Sequence, residues 1–437
     1  MKHALAATCG LIASTSVLWA DDVPRANTNS GAATPAATVA QNWTAAFASE
    51  LRYFSWKSNR SYPAGSANPT FRGSGSEIYI PYALQLVGLP NNNIKIEILG
   101  RGGWVRARQT SGDRSGEVAT TTDTQVSATA TYLGIEGVQP FASVNFNIPT
   151  GKSILSASEA NARMDPDLVD IASFGEGFNF GPTVGLSLAI ASNLVATFSV
   201  GYTQRGTFTR DGSSNPLTFP PSATSLLDPG DVTTATASVG YQTGQLTGTI
   251  SGSVSTESDT KADGQRYFRA GTRYLISGTW VYTWPETRGV TTLTASASHA
   301  ERNKVLFVLA TPRYDMEPFN SSSNVYRVGA EHLFPFGKLW AGPTASFLYR
   351  DHNGYNSQTL QFVPAKKRWS AGLLARNPVS DKVTFNARVE HVWIHEDVSY
   401  PAGPFSVLTD SFQSNIRAVP ALSSTGWQGA IGADVRF

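Results

Sequence analysis

Charge is scarce in this chain of 437 residues: Asp, Glu, Lys and Arg make up 15% of it. A soluble globular domain carries about 25%, so a large share of the surface must face something other than water. Cysteine is almost missing. The one present, Cys9, falls within residues 1–20, which read as a secretory signal: Lys2 and His3 at the start, an apolar and small run from Ala4 to Trp19, and Ala20 before Asp21-Asp22. Without thiols beyond that segment, disulfide frameworks, zinc–cysteine sites and cysteine nucleophiles are excluded. Long apolar runs are also lacking. None after the signal reaches the length of about 18 residues that a membrane-crossing helix needs. A net charge of +2 gives no basis for a nucleic-acid partner.

What the chain has in quantity is glycine (39 residues), aromatics (11%) and alternation. From Thr425 to Phe437 one face reads Trp427, Gly429, Ile431, Ala433, Val435, Phe437; the other reads Gly426, Gln428, Ala430, Gly432, Asp434, Arg436. A period of two marks a strand with two different environments on its faces. Similar runs recur. Ile94, Ile96 and Ile98 alternate with Lys95, Glu97 and Leu99. Leu194, Ala196, Phe198, Val200 and Tyr202 alternate with Val195, Thr197, Ser199, Gly201 and Thr203. Tyr274, Ile276, Gly278, Trp280, Tyr282 and Trp284 oppose Arg273, Leu275, Ser277, Thr279, Val281 and Thr283. Aromatics gather at the ends of the apolar faces, where a membrane–water interface suits them.

The breaks between runs alternate too. Short ones, such as Pro90 to Asn93, Ala191 to Asn193 and Pro335 to Lys338, follow long ones near 58–76, 109–119, 149–180, 210–230, 256–266, 301–323, 351–366 and 397–423. This rhythm predicts an all-β fold: a transmembrane antiparallel β-barrel of about 16 strands, with short periplasmic turns and long extracellular loops. Residues 1–20 are then the signal, 21–42 a flexible periplasmic lead-in too short for a plug, and 43–437 the barrel. In hydrocarbon every backbone N–H and C=O must be paired, which a sheet achieves only by closing on itself. A barrel of this size is too wide for side chains to fill, so its polar faces should line water.

Those faces supply the candidate pore-lining residues: Lys95, Glu97, Arg101, Asn145, Asn147, Arg205, Arg269, Arg273, Arg327, Glu331, Arg368, Arg376, Arg388, Glu390, Asp434 and Arg436, with Arg350 as a further basic candidate. Arginine outnumbers the acids, so the lumen either leans toward anions or spends its arginines on pairing with those acids. The break 149–180 holds Lys152, Asp165, Asp167, Asp170 and Glu176, candidates for a constriction loop; it either folds inward to narrow the pore or stays solvated at the surface. Its three aspartates have ligand chemistry suited to calcium, but a plain solvated acidic loop is the better reading. Gly151-Lys152-Ser153 is not a phosphate loop, because Phe146 stands where that motif needs glycine. His391 and His395 share the face of Trp393, which argues against a metal pair. His299 near Ser296 and Ser298 leaves a nucleophile–base pair open. No cofactor or metal site is expected.

Signal, alternation, long–short rhythm and terminal aromatic strand together resemble the porin-like outer-membrane β-barrels of Gram-negative bacteria, over nearly all the chain beyond residue 42. The resemblance implies residence in the outer membrane and contact with its lipid. It also implies that Phe437, with Ile431, Ala433 and Val435, is read by the barrel-assembly machinery. A narrower resemblance rests on Phe141 to Ser153 followed by Gly175-Glu176-Gly177. It points to the transporter family associated with meta-pathway phenol degradation and implies uptake of aromatic or other hydrophobic small molecules. The expectation is a passive channel for small solutes, anion-leaning or aromatic. The alternatives are an outer-membrane hydrolase barrel and a secretion or exopolysaccharide export pore.

Overall fold

The computed structural model of the protein describes residues 43–61, 70–111, 114–211, 224–307, 312–398 and 421–437, apart from the single positions 168, 358 and 360. The expected signal (1–20) and lead-in (21–42) lie outside the described residues. Strands dominate from Trp43 onward, as the alternation requires. Those that build the wall are β1 (Trp43–Ser61), β2 (Thr70–Asn91), β3 (Ile94–Ser111), β4 (Arg114–Thr121), β5 (Thr124–Tyr132), β6 (Val138–Ile148), β7 (Asn179–Ala191) and β8 (Leu194–Arg205). They continue with β11 (Val232–Gln242), β12 (Leu246–Glu257), β15 (Arg273–Thr283), β16 (Val290–Ala300), β19 (Val325–Phe336), β20 (Leu339–Arg350), β21 (Lys366–Pro378), β22 (Val383–Glu396) and β23 (Leu422–Arg436). All pair antiparallel with their neighbours. β23 pairs with β1 from Ala46↔Arg436 to Asn59↔Ser423, which closes the ring. β4 and β5 lie end to end on β3, so the 17-stranded sheet is a barrel of 16 staves.

Register and exposure separate the two faces. On β1, Leu51 and Tyr53 are exposed while Arg52, Phe54 and Trp56 are buried. On β21, Trp369 and Leu373 are exposed while Lys366, Ser370 and Leu374 are buried. The exposed faces are apolar all round the ring, with Val184, Ile276, Leu373 and Ile431 in the band. Aromatics stand at both rims. Tyr202, Tyr274, Tyr326, Trp369, Trp393 and Trp427 mark the end with long loops; Trp43, Tyr132, Tyr241, Trp284, Phe336 and Phe437 mark the end with tight turns. An apolar belt between two aromatic girdles is what a bilayer selects. The molecule is a transmembrane barrel of the outer-membrane kind.

The tight turns carry the residues that such turns need. Gly137 and Gly337 adopt φ of 73° and 67°, a region L-residues avoid. The long breaks differ from their expected form. The stretch 109–119 is strand on both sides of 112–113, so β3 and β4 run as a hairpin beyond the membrane. The breaks near 210–230, 256–266 and 301–323 also contain strands: β9 (Phe208–Asp211), β10 (Thr224–Asp228), β13 (Thr260–Ala262), β14 (Gln265–Arg269), β17 (Lys304–Phe307) and β18 (Arg313–Met316). These join edge to edge into a second, six-stranded sheet that extends one side of the barrel outward. Their alternation is too short to stand out from turn residues, yet pairing with neighbours satisfies their backbone.

Candidate functional site

The segment 149–178 between β6 and β7 lies inside the barrel. Its apolar residues Leu155, Ala162, Met164, Val169 and Phe174 are buried with inward residues of the wall: Phe54 and Trp56 on β1, Val105 and Ala107 on β3, Val118 on β4, Val392 and Ile394 on β22. Trp56 donates its indole N–H to the Met164 sulfur at 3.1 Å. The surface-loop alternative is therefore not the one adopted. A single helical turn, α1 (Ala157–Ala160), lies in the first half of the segment. It is capped reciprocally: Ser156 accepts from the Glu159 N–H, and Glu159 accepts from the Ser156 N–H. α1 rests on Gly116 of β4, where an added Cβ would stand 2.3 Å from the Ser158 oxygen. Only a residue without a side chain permits that approach.

Ion pairs tie the segment to the wall. Asp165 pairs with Lys366 on β21, and Asp167 takes both Arg350 on β20 at 2.6 Å and Lys366 at 3.4 Å. Lys366 also lies 3.5 Å from Glu396 on β22 and is only 2% exposed. Asp170 pairs with Arg52 on β1 at 3.1 Å, and Arg52 pairs again with Glu50. The three aspartates expected to be solvated, with calcium as the second reading, are instead neutralised by cations of the wall. In ring order β20 stands nearly opposite β6 and β7, so the segment reaches across the mouth of the lumen. Its two ends are held by Asp123, between β4 and β5. That carboxylate accepts the Gly151 N–H at 2.9 Å, the Glu176 N–H at 2.7 Å and the Asn147 side-chain amide at 2.8 Å. Lys152 turns back to Glu159 at 2.5 Å and does not reach the wall.

The remaining candidates divide by place. Lys95, Glu97 and Arg101 on β3, Asn145 and Asn147 on β6, and Arg205 on β8 occupy inward positions. So do Arg273 on β15, Arg327 and Glu331 on β19, Arg368 and Arg376 on β21, Arg388 and Glu390 on β22, and Asp434 and Arg436 on β23. Several are in ion pairs: between strands, Arg388 with Glu331 at 3.1 Å and Arg205 with Glu257 at 3.3 Å; along β3, Lys95 with Glu97 at 3.4 Å. Neutral groups are met as well. Arg101 donates to Gln125, Arg368 to Gln428, and Arg376 to Asn386, which in turn donates to Asp434. Glu390 is buried and accepts from Gln428 and Thr344. Arg269 is a correction. It belongs to β14 in the outer sheet, 3.8 Å from Asp259, and so is not part of the spanning wall.

The other chemical candidates do not assemble. His299 faces outward and stacks on Tyr274, and its Nδ1 lies 2.7 Å from Asn324. Ser296 and Ser298 face the lumen on the same strand, so no serine–histidine pair forms there. His391 packs between Trp393 and Trp427 on the outer face, as the alternation predicts. Phe437 is exposed at the periplasmic rim, and its N–H donates to the Ala45 carbonyl at 2.9 Å.

Sequence reasoning missed Lys366, Arg52 and Asp123, the residues that hold the inward segment. A signal for the receiving surface was present: at the extracellular ends the inward faces of β1, β3 and β22 turn apolar at Phe54 and Trp56, Val105 and Ala107, and Val392 and Ile394, and a face lining a water-filled lumen has no reason to be.

No family model matches the chain, and no curated protein matches it. Among solved structures, an outer membrane channel from Pseudomonas putida F1 shares 11% identity at a TM-score of 0.38, over 65% of this chain and 92% of that one. OpdQ of Pseudomonas aeruginosa shares 8% at 0.40, over 90% and 99%. A deletion mutant of TodX, a monoaromatic hydrocarbon channel, shares 10% at 0.36, over 90% of each chain. These likenesses are distant, and none of them assigns the chain to a family.

Proposed function

We propose that the protein is a passive diffusion channel of the outer membrane, with a hydrated lumen narrowed at its extracellular end by segment 149–178. The observation that carries this reading is the docking of that segment by acid-to-base pairs, Asp165 and Asp167 to Lys366 and Arg350, Asp170 to Arg52. Beside its apolar contacts the segment commits charged groups to the wall, and buried ion pairs are a poor source of net stability, so the clamp supports a role beyond filling space. A polar clamp at the mouth of a water-filled barrel sets a size limit. The inward positions on β21 to β23 carry Arg368, Arg376, Arg388 and Arg436 against Glu390 and Asp434. With Glu331, the acid that pairs with Arg388, the count is four fixed cations to three anions, a lean that favours small solutes bearing negative charge. Candidate solutes include aromatic acids, which combine that charge with the apolar contact available at Phe141, an inward residue of β6.

The segment ending in Phe437 serves, on the same reading, as the signal handled by the barrel-assembly machinery. The reading is tested by the reversal potential of the pure protein in a planar bilayer under a salt gradient. Anion preference is expected; cation preference would contradict the charge assignment.

A further inference from the structure

Outside the lumen the barrel carries a recess that permeation does not use. It lies on the outer surface of β23, β1, β2, β3 and β4 and encloses about 670 Å³. The upper aromatic girdle fixes its depth. Trp393 faces Thr425, Thr425 faces Lys57, Lys57 faces Ser74, and Ser74 faces Thr110. From that row the aromatic residue sits two residues down β23 (Trp427), four down β1 (Tyr53) and six down β3 (Trp104). Such a stagger is what tilted strands need for a belt level with the membrane plane. Ser55, Lys57, Ser74, Ser76, Arg108 and Glu117 therefore stand just above the hydrocarbon, on the face that meets lipid. Tyr53, Trp427 and His391 form the lower edge.

The recess is basic. Arg106 and Arg108 both pair with Glu117, at 2.8 and 2.9 Å, which leaves one positive charge in excess. Lys57 adds another and has no ion-pair or hydrogen-bond partner among the described residues. We propose that this recess binds a phosphate-bearing lipid headgroup of the outer leaflet, with the acyl chains running down over Trp427 and Tyr53. Charge complementarity selects the phosphate, and continuity with the aromatic girdle selects a lipid over a free anion. Each basic residue beside a charged headgroup is worth about fivefold in affinity.

The test uses the full chain, purified in nonionic detergent and titrated with bisphosphorylated lipid A, followed by native mass spectrometry. Dephosphorylated lipid A and inorganic phosphate serve as the comparison arms. The proposal expects phosphorylated lipid to bind at least tenfold more tightly than the dephosphorylated form. It expects Lys57→Ala with Arg108→Gln to remove that preference. Glu117→Gln, which deletes the competing carboxylate, is expected to tighten binding; a merely structural Arg–Glu–Arg cluster would weaken it. Heat-modifiable gel migration verifies that each variant is a folded barrel. Equal binding of the two lipids, or weaker binding by Glu117→Gln, would overturn the proposal. So would displacement of the lipid by millimolar inorganic phosphate, which would mark a free-anion site.

Discussion

At Asp165 two effects oppose each other. Burial raises its pKa, while Lys366 and the Asp167 N–H lower it, and the outcome lies below the ordinary aspartate range. A carboxylate depressed in the docked state contributes docking free energy above its ordinary pKa, and that contribution is lost as pH falls through the depressed value. Conductance is therefore expected to stay level from neutrality down to the ordinary aspartate range near 4, and to rise only below it. A rise beginning near pH 6 would show that some other group holds the segment. The two faces of the wall can be tested one residue apart. Ile276→Arg puts a charge on the lipid side and should cost about 2–4 kcal/mol in urea titrations of the vesicle-embedded barrel. Ser277→Arg, on the lumen side, should cost far less. Equal costs would mean that the face assignment is wrong.

Among elements, the inward segment and the strand ends it covers act as one unit. Gly116 shows this most simply, because α1 touches its backbone directly. Gly116→Leu is expected to push the segment off the wall while leaving the β3–β4 ladder intact. Its conductance should rise by twofold or more at unchanged gel mobility of the folded form, and proteolysis within 149–178 should become faster. The strands themselves were legible, because a period of two with lipid on one side leaves a plain record at Ile94 to Arg101 and at Tyr274 to Trp284. The docking of 149–178 was not. Its receiving surface is assembled from Phe54, Val105 and Val392, which are far apart in sequence and meet only through the register of the closed ring. The outer sheet was missed for a related reason: β13 and β17 are too short to show a period, and only lateral pairing makes them strands.

For the whole molecule, counting long and short breaks sufficed to give the number of staves, because each spanning strand must be followed by a turn on one side and a loop on the other. Closure depends on β23 meeting β1, and Phe437 sits at the end of that seam. Replacing Phe437 with Ala should lower the yield of folded barrel in cells several-fold, while refolding of the purified chain into detergent proceeds as before; an equal loss in both would make Phe437 a stability residue and not an assembly signal. The central claim is that a docked segment limits a water-filled pore. Single-channel recording of the wild type beside Lys366→Ala tests it most directly. The account predicts a small, steady conductance for the wild type and one at least twice as large for the variant, which removes the cation shared by Asp165, Asp167 and Glu396. A folded wild type that conducts nothing, with a variant that conducts no more, would contradict it.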